Sequence, residues 1–514
     1  MASILSGGWT RVPRPYVVKD SSFVQLSHNA THCMHTLIAG SAEPPDTVAA
    51  WMAIPFVSLL LAIAVGPLLH KDWWDRYSKV VAIGLGAVTA GVYALLLGRM
   101  DRVVDSFTEY FSFLSLVGSL FVISGGIHIR LRGRATPLAN VAFLAAGALL
   151  ANIAGTTGAS MILIRPYLRV NRSRISPFHI VFFIFIVSNI GGALTPIGDP
   201  PLFLGYLKGI PFFWAVQGLW RIWILAVTIV LFVFYLIDRH YYRRFLSQDQ
   251  DSLADSGEEI GFEGAHNLFF LIVVLSAVFV TDPPFLREVM MIAAAVGSFV
   301  TTRRRIHEKN GFDFRPIQEV AVVFLGIFIT MVPALEWMRE NAAGLDFQRP
   351  EQFFWTTGAL SSVLDNAPTY LNLLSAAIGR FVDGNIIRQV TDTLHHHASA
   401  LSLSDGSVAP AIRETVGTLT RYHGNLVSTG GVTPDQIATA YLLSQKTAVL
   451  QAISIGAVFF GAMTYVGNGP NFMVKSIAEH AGVRCPSFGA YIGRFALPVL
   501  LPTFLLLWVL FFRS

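Results

Sequence analysis

The sequence predicts an all-α membrane protein, an inverted-repeat transporter with about ten transmembrane helices, two re-entrant hairpins and two broken helices. Three observations carry that expectation. Only 13% of the residues are charged while 53% are hydrophobic, more apolar surface than a soluble chain of 514 residues can hide. Two apolar stretches are too long, or too polar at their centres, to be simple crossings. A twelve-residue motif rich in glycine and proline occurs twice.

Residues 1–46 are polar and mixed, with no apolar core ahead of a small-residue cleavage site. They read as an external N-terminal segment and not as a cleavable signal peptide. His32 and His35 flank Cys33 there, and the second cysteine is Cys485. Two cysteines on opposite sides of a membrane make no disulfide framework. Crossings are expected near 47–70, 79–98, 106–127, 178–196, 211–238, 267–281, 285–301, 317–336, 438–464 and 490–512. Each is nearly free of charge over much of its length, and a hydrocarbon core of roughly 30 Å is spanned at about 1.5 Å per residue.

The basic residues collect in short loops: Lys71 to Lys79, Arg130 to Arg134, Arg165 to Arg174, Arg239 to Arg244 and Arg303 to Arg315. That bias places all five in the cytoplasm of a bacterial-type inner membrane, with the N-terminus outside. The net charge of +5 is thereby explained by orientation. The partner is the lipid bilayer, and no nucleic acid is expected.

Between Arg134 and Arg165 lie 30 uncharged residues, yet both flanks carry the cytoplasmic signature. A re-entrant hairpin keeps the flanks together, with Gly155, Thr156, Thr157 and Gly158 as its irregular tip. The stretch 353–378 contains Ser361, Ser362, Asp365, Asn366 and Pro368 at its centre and reads as a second hairpin, entering from the other side. Such backbone survives at membrane depth only where protein or a water-filled cavity satisfies it. Residues 239–266 read as a mobile polar linker between a first half, 47–238, and a second half, 267–514. A polar insertion at about 380–435 is expected outside, and its His395, His396 and His397 read as solvated rather than metal-binding.

The repeat carries the function. Residues 192–203 read GALTPIGDPPLF and residues 461–472 read GAMTYVGNGPNF, with six of twelve positions identical. Each copy follows an apolar run and breaks it, because proline removes an amide donor and glycine accepts unusual dihedrals. Under the topology above the copies cross in opposite senses. Broken helices from inverted repeats, meeting near mid-membrane, mark the binding site of a secondary transporter.

The strings SNIGGALTPIGDPP (188–201), SSVLDNAPT (361–369) and GAMTYVGNGPN (461–471) resemble the ion transporter superfamily. Within it they look most like the NhaD-type sodium/proton antiporters and the related citrate transporter family. The resemblance implies an elevator-like architecture, a homodimer, and a small cation or proton as transported or coupling species. Dicarboxylate carriers of the superfamily show a Ser-Asn-Thr motif in both halves. Here Ser188 and Asn189 are followed by Ile190, and the second half has no counterpart.

Asp199 and Asp365 are the acids closest to the breaks. An ionised carboxylate in a membrane is expensive, and a group so placed can hold either a proton or a sodium ion. The plainer reading makes each of them a helix cap. Asn152, Thr156, Thr157, Ser188, Asn189, Thr195, Ser361, Ser362, Asn366, Thr464 and Asn468 offer hard oxygens near the same centre, or else hydrogen bonds between helices. Lys446, inside its span, is a possible charge partner or a snorkelling side chain. Glu109, Glu319, Glu336 and Arg221 read as interfacial, and Trp73, Trp74 and Trp220 as belt anchors. Sodium/proton antiport is therefore expected, with no cofactor beyond sodium itself. A sodium-coupled citrate or dicarboxylate carrier is the alternative, and an intramembrane aspartyl protease, in which two acids share a proton, a remote one.

Overall fold

The computed structural model describes residues 48–132, 135–248, 259–280, 283–396 and 409–513. The chain from Thr47 onward forms one compact unit. It is helical almost throughout, a multi-pass membrane protein. Among the described residues seven helices are long and apolar enough to cross a bilayer, and an eighth if a sharply bent pair counts as one span.

In chain order the first elements are α1 (Ile54–Leu69), α2 (Lys71–Gly91) and α3 (Met100–Gly125), followed by a short strand β1 (His128–Arg132). Next comes α4 (Pro137–Val170), and this is the first hairpin. Straight, its 34 residues would extend about 51 Å at 1.5 Å per residue. Instead Asn140 and Asn171 exchange amide hydrogen bonds of 2.8 and 2.9 Å, and Phe143 stacks on Tyr167 with ring centroids 5.2 Å apart. The chain doubles back at Gly155, whose φ of 74° is open to glycine and costly for other residues.

The first break follows. Helix α5 (Pro177–Ile186), apolar but for His179 at its start, is buried on every side and so central to the bundle. It unwinds into a 3-10 turn at Ile190–Leu194 and resumes as α6 (Pro200–Leu207). The long α7 (Trp214–Gln248) then runs back to strand β2 (Glu259–Glu263), which pairs antiparallel with β1. The segment expected as a free linker is thus partly a strand, and only residues 249–258 lie outside the described residues. Pairing of its five residues with the five of β1, a contact distant in sequence, recruits it.

Helices α8 (Asn267–Ala277), α9 (Leu286–Thr301) and α10 (Arg315–Asn341) open the second half. All ten expected crossings are helical, but α1, α8 and α9, of 16, 11 and 16 residues, are shorter than a full span. The second hairpin is α11 (Pro350–Val363) and α12 (Asn366–Phe381), turning through extended backbone at Leu364 and Asp365. Phe353, early in one arm, meets Phe381 at the end of the other at 6.2 Å between ring centroids.

The polar insertion folds as α13 (Gly384–His396) and α14 (Pro410–Thr429), which share a small core of Val390, Ile412, Val416 and Leu419 with the next helix. His397 lies outside the described residues, as do His32, Cys33 and His35. Helices α15 (Pro434–Gln445) and α16 (Thr447–Phe460) were expected as a single crossing; they meet at 103°. Neither glycine nor proline marks the bend, which falls on Lys446 with φ −135° and ψ 37°. A 3-10 turn, Gly461–Met463, leads to α17 (Gly469–His480), and α18 (Phe488–Phe512) ends the chain.

The repeats run in opposite senses. Helix α5, the first arm of one break, packs on α17, the second arm of the other, and α6 packs on α16. The hairpins open on opposite faces. The base of α4 lies beside the β1–β2 ribbon and the Arg174–Asp238 ion pair, where Lys309 bonds Glu263 at 2.8 Å. We call this the basic face. The base of α12 lies at the other end, where Gly379 packs against the backbone of Arg339.

Candidate functional site

The two breaks are held open by the same device. Thr195 Oγ1 donates to the Asn152 carbonyl at 2.6 Å and accepts the amide of Gly198 at 3.1 Å. Thr464 Oγ1 donates to the Ser362 carbonyl at 2.7 Å and accepts the amide of Gly467 at 3.1 Å. Each hydroxyl therefore fastens a break to the tip of its hairpin and satisfies an amide that the unwound helix has freed. The first tip is also joined through its backbone, with Thr156 N donating to Gly198 O at 2.8 Å.

Asp199 lies where the four segments converge, with 1% of its surface exposed. It stands at the N-cap position of α6, yet its side chain makes no capping bond. The carboxylate turns instead to the other segments. Thr156 Oγ1 donates to Oδ1 at 2.8 Å, Asn468 Nδ2 donates to Oδ1 at 3.1 Å, and Asn366 Nδ2 donates to Oδ2 at 2.5 Å. One donor comes from the first hairpin, one from the second break and one from the second hairpin. No lysine, arginine or histidine is paired with Asp199 among the described residues.

Asp365 differs. Its side chain accepts the amide of Ala367 at 3.1 Å and so caps α12, and it is only partly buried. It lines a cavity of about 220 Å³ with Thr157, Asn468 and Glu319 as the other polar side chains. Phe113, Val117, Phe121 and Phe324 form the facing wall. Glu319, expected at the interface, is thus on the rim of the central cavity.

The remaining candidates build the frame. Asn152 Nδ2 donates to the carbonyls of Ala148 and Gly191, and its Oδ1 accepts the Leu194 amide at 2.8 Å. Ser188 Oγ pairs with Ser160 Oγ at 2.8 Å. Asn189 Nδ2 donates to Asn471 Oδ1 at 2.7 Å, joining the two repeats directly. Ser361 and Ser362 donate to the carbonyls of Ala457 and Gly358. Lys446 is remote from Asp199: its ammonium sits 4.9 Å from the Phe381 ring centroid, at the base of the second hairpin. Glu109 meets Lys208 at 2.5 Å, and Glu336 accepts from Tyr93 Oη at 2.8 Å, so both are partnered away from Asp199. Trp73 and Trp220 are exposed as belt anchors would be, whereas Trp74 is buried against Gly66.

Three contributors were missed in reading the sequence. Trp223 Nε1 donates to Gly191 O at 3.0 Å and so props the first break from α7. Ser160 and Asn471 fix Ser188 and Asn189. Asn471 alone carried a signal, since it falls within the second copy of the motif.

Two features suit a small hard cation. The donor set around Asp199 is a carboxylate with hydroxyl and amide groups, and Asn366 Oδ1 is buried without a partner. Among the described residues no three His, Cys, Asp or Glu side chains gather as a transition-metal site. Residues 45–512 match the family described as "Putative citrate transport", so the chain belongs to that family of membrane transporters. No curated protein matches it.

Proposed function

We propose that this family member is a secondary transporter in which sodium and a proton compete for Asp199, the chemistry of sodium/proton antiport by alternating access. The observation that carries this reading is a fully buried carboxylate contacted only by neutral donors from three other segments. A buried anion without a cationic partner costs several kcal/mol, by order of magnitude, and either a proton or a sodium ion relieves that cost. Rotation of the Asn366 and Asn468 amides would turn their oxygens towards a bound ion, and would give Asn366 Oδ1 the partner it lacks. The same contacts link Asp199 to both hairpins and the opposite break, so occupancy can bias how the four segments pack.

A sodium-coupled citrate carrier is the second reading, favoured by the family match. Against it, Pro200, Pro368 and Pro470 stand in the first turns of three half-helices that point at the centre, removing amide donors that a carboxylate would use. The cavity beside Asp199 is walled mainly by apolar side chains. A shared-proton protease dyad is disfavoured too, because Asp365 bonds the Ala367 amide and not Asp199.

Everted vesicles with a pH-sensitive dye separate the readings. Dequenching on adding sodium or lithium, but not citrate or succinate, is expected. A response that requires citrate in addition to sodium would replace antiport by co-transport.

A further inference from the structure

We infer that Lys208 is a positioning residue for alternating access: by bridging Glu109 and Asp435 it latches the face opposite the basic one, and the latch must open before the central site can be reached from there. The inference rests on the alternating-access reading but not on which ion is carried. Helices α3 and α10 line two cavities with their opposite halves. Phe113, Val117 and Phe121 of α3 and Val320 and Phe324 of α10 wall the central cavity, which reaches the exposed Glu319 towards the basic face. At the far end Arg102, Glu109, Val332 and Arg339 of the same two helices line a vestibule of about 570 Å³.

The vestibule's other lining residues include Leu207 and Lys208 at the end of α6, Leu371 and Leu374 of α12, and Asp435 of α15. Ion pairs close the gap between the two sets. Lys208 Nζ meets Glu109 Oε1 at 2.5 Å and Asp435 Oδ2 at 3.6 Å, and Arg339 Nη2 meets Asp435 Oδ1 at 2.8 Å. Glu109 and Arg339 belong to α3 and α10, whereas Lys208 and Asp435 belong to the other set, so the chain of charges Glu109–Lys208–Asp435–Arg339 crosses the gap twice. Glu336 is a contrast within the same vestibule. It meets Arg99 at 3.6 Å and Arg102 at 3.3 Å, and so ties α10 to the start of α3 without crossing.

One short helix joins this latch to the central site. Asp199 stands at the N-cap of α6 and Lys208 at its C-cap, so eight helical residues, about 12 Å at 1.5 Å each, separate the buried carboxylate from the lysine. The end that carries the lysine is fastened to its own side. Thr439 Oγ1 donates to Lys208 O at 3.3 Å and His423 Nε2 donates to Gly209 O at 3.0 Å, which holds α15 and α14 to the end of α6. A shift of α6 driven by occupancy at Asp199 therefore pulls on the latch. The strength of the pairs suits repeated opening. The side chains of Lys208 and Glu109 are each 23% exposed, and partly wetted pairs add little net stability. The Arg174–Asp238 pair of the basic face, 5% and 0% exposed, is by contrast costly to separate.

The test uses two cysteine reporters, each in the full chain with Cys33 and Cys485 replaced by serine. Leu371→Cys reports on the vestibule, where Leu371 is 1% exposed with the latch shut, and Met473→Cys reports on the central cavity. A membrane-impermeant maleimide is applied to sealed vesicles, from the far face for the first reporter and from the basic face for the second. Lys208→Gln is expected to speed labelling of the vestibule reporter by about tenfold or more and to slow that of the central reporter, since one population grows at the expense of the other. Glu109→Gln should reproduce both changes, Lys208→Arg should restore both towards wild type, and Glu336→Gln should cause neither. Unchanged reporters in Lys208→Gln overturn the inference. So does faster vestibule labelling without slower central labelling, which is local loosening, and so does an equal response in Glu336→Gln. Sodium forms a separate arm. If Lys208→Gln moves both reporters while sodium moves neither, the latch stands and the sodium reading of Asp199 falls; if the reporters ignore Lys208→Gln while sodium-dependent proton exchange persists, the latch falls and antiport stands.

Discussion

The two broken segments share a motif, a threonine that pins each to its hairpin, and an asparagine-rich surround, yet they differ at one matched position: Asp199 in the first, Asn468 in the second. Both residues precede a half-helix, and neither uses its side chain to cap it. They point at one another, with Asn468 donating to Asp199 at 3.1 Å. The hairpin tips differ in the opposite way. The first offers neutral Thr156 and the second an acid, Asp365, which is occupied as a cap. Duplication thus supplies a symmetric cradle of freed backbone, and a single departure from symmetry supplies its charge.

The largest effect should come from erasing that departure. Asp199→Asn makes the first break match the second and leaves an amide where exchange needs a titrating group. Sodium-dependent proton exchange in everted vesicles should fall by about 100-fold or more, equivalent to about 2.7 kcal/mol. The variant should still fold, since no charged partner is left exposed by the change. Normal exchange would mean that the asymmetry has no transport role. Asp199→Glu should keep part of the activity.

Much of this was legible in the sequence. The first hairpin showed in a stretch too long for its like-charged flanks, the second in the polar residues at the centre of 353–378, and the breaks in the repeated glycines and prolines around Thr195 and Thr464. Thr156, Asn366 and Asn468 were recognisable as candidates because they sit at those interruptions. Their meeting at Asp199 was not, since the pairs are 43, 167 and 269 residues apart and nothing local encodes the contact. The order of the two acids was also hidden. Asp365 stood out at a proline-marked turn, whereas only the fold reveals that its carboxylate caps a helix and that of Asp199 does not. The bend at Lys446 escaped because tertiary packing imposes it on a segment with no glycine or proline, and the strand Glu259–Glu263 because its alternation, Ile260 and Phe262 between polar positions, spans only five residues at the end of a charged stretch.

A middle-sized effect should test the symmetry that remains. Thr195→Val and Thr464→Val each remove a donor to a hairpin carbonyl and an acceptor for a glycine amide. The hairpin carbonyls of Asn152 and Ser362 that lose their donor are partly buried, and the Gly198 amide keeps a bond to Thr195 O at 3.0 Å, so each variant should lose about 1–3 kcal/mol of stability. The two losses should agree within about 1 kcal/mol if the breaks are built alike. Thermal unfolding of the detergent-solubilised protein measures both. A large loss at one threonine alone would show that the cradle is not symmetric.

The smallest effect is expected at Asp365. Asparagine caps a helix about as well as aspartate does, so Asp365→Asn should preserve the bond to the Ala367 amide and the turn of the second hairpin. Sodium KM should change by less than about threefold, and Asp365→Ala should cost about 1 kcal/mol of stability through loss of the cap. The pH profile separates the two acids. Where proton and sodium compete for one carboxylate, raising the pH removes the competitor, and the sodium KM falls until that group is mostly ionised and then stays level. This dependence should persist in Asp365→Asn and vanish from whatever transport survives in Asp199→Asn, because an amide offers an oxygen and has no proton to release. The reverse pattern, a flat profile in Asp365→Asn beside a normal one in Asp199→Asn, would transfer the coupling from the break to the hairpin tip and make Asp199 the structural member of the pair.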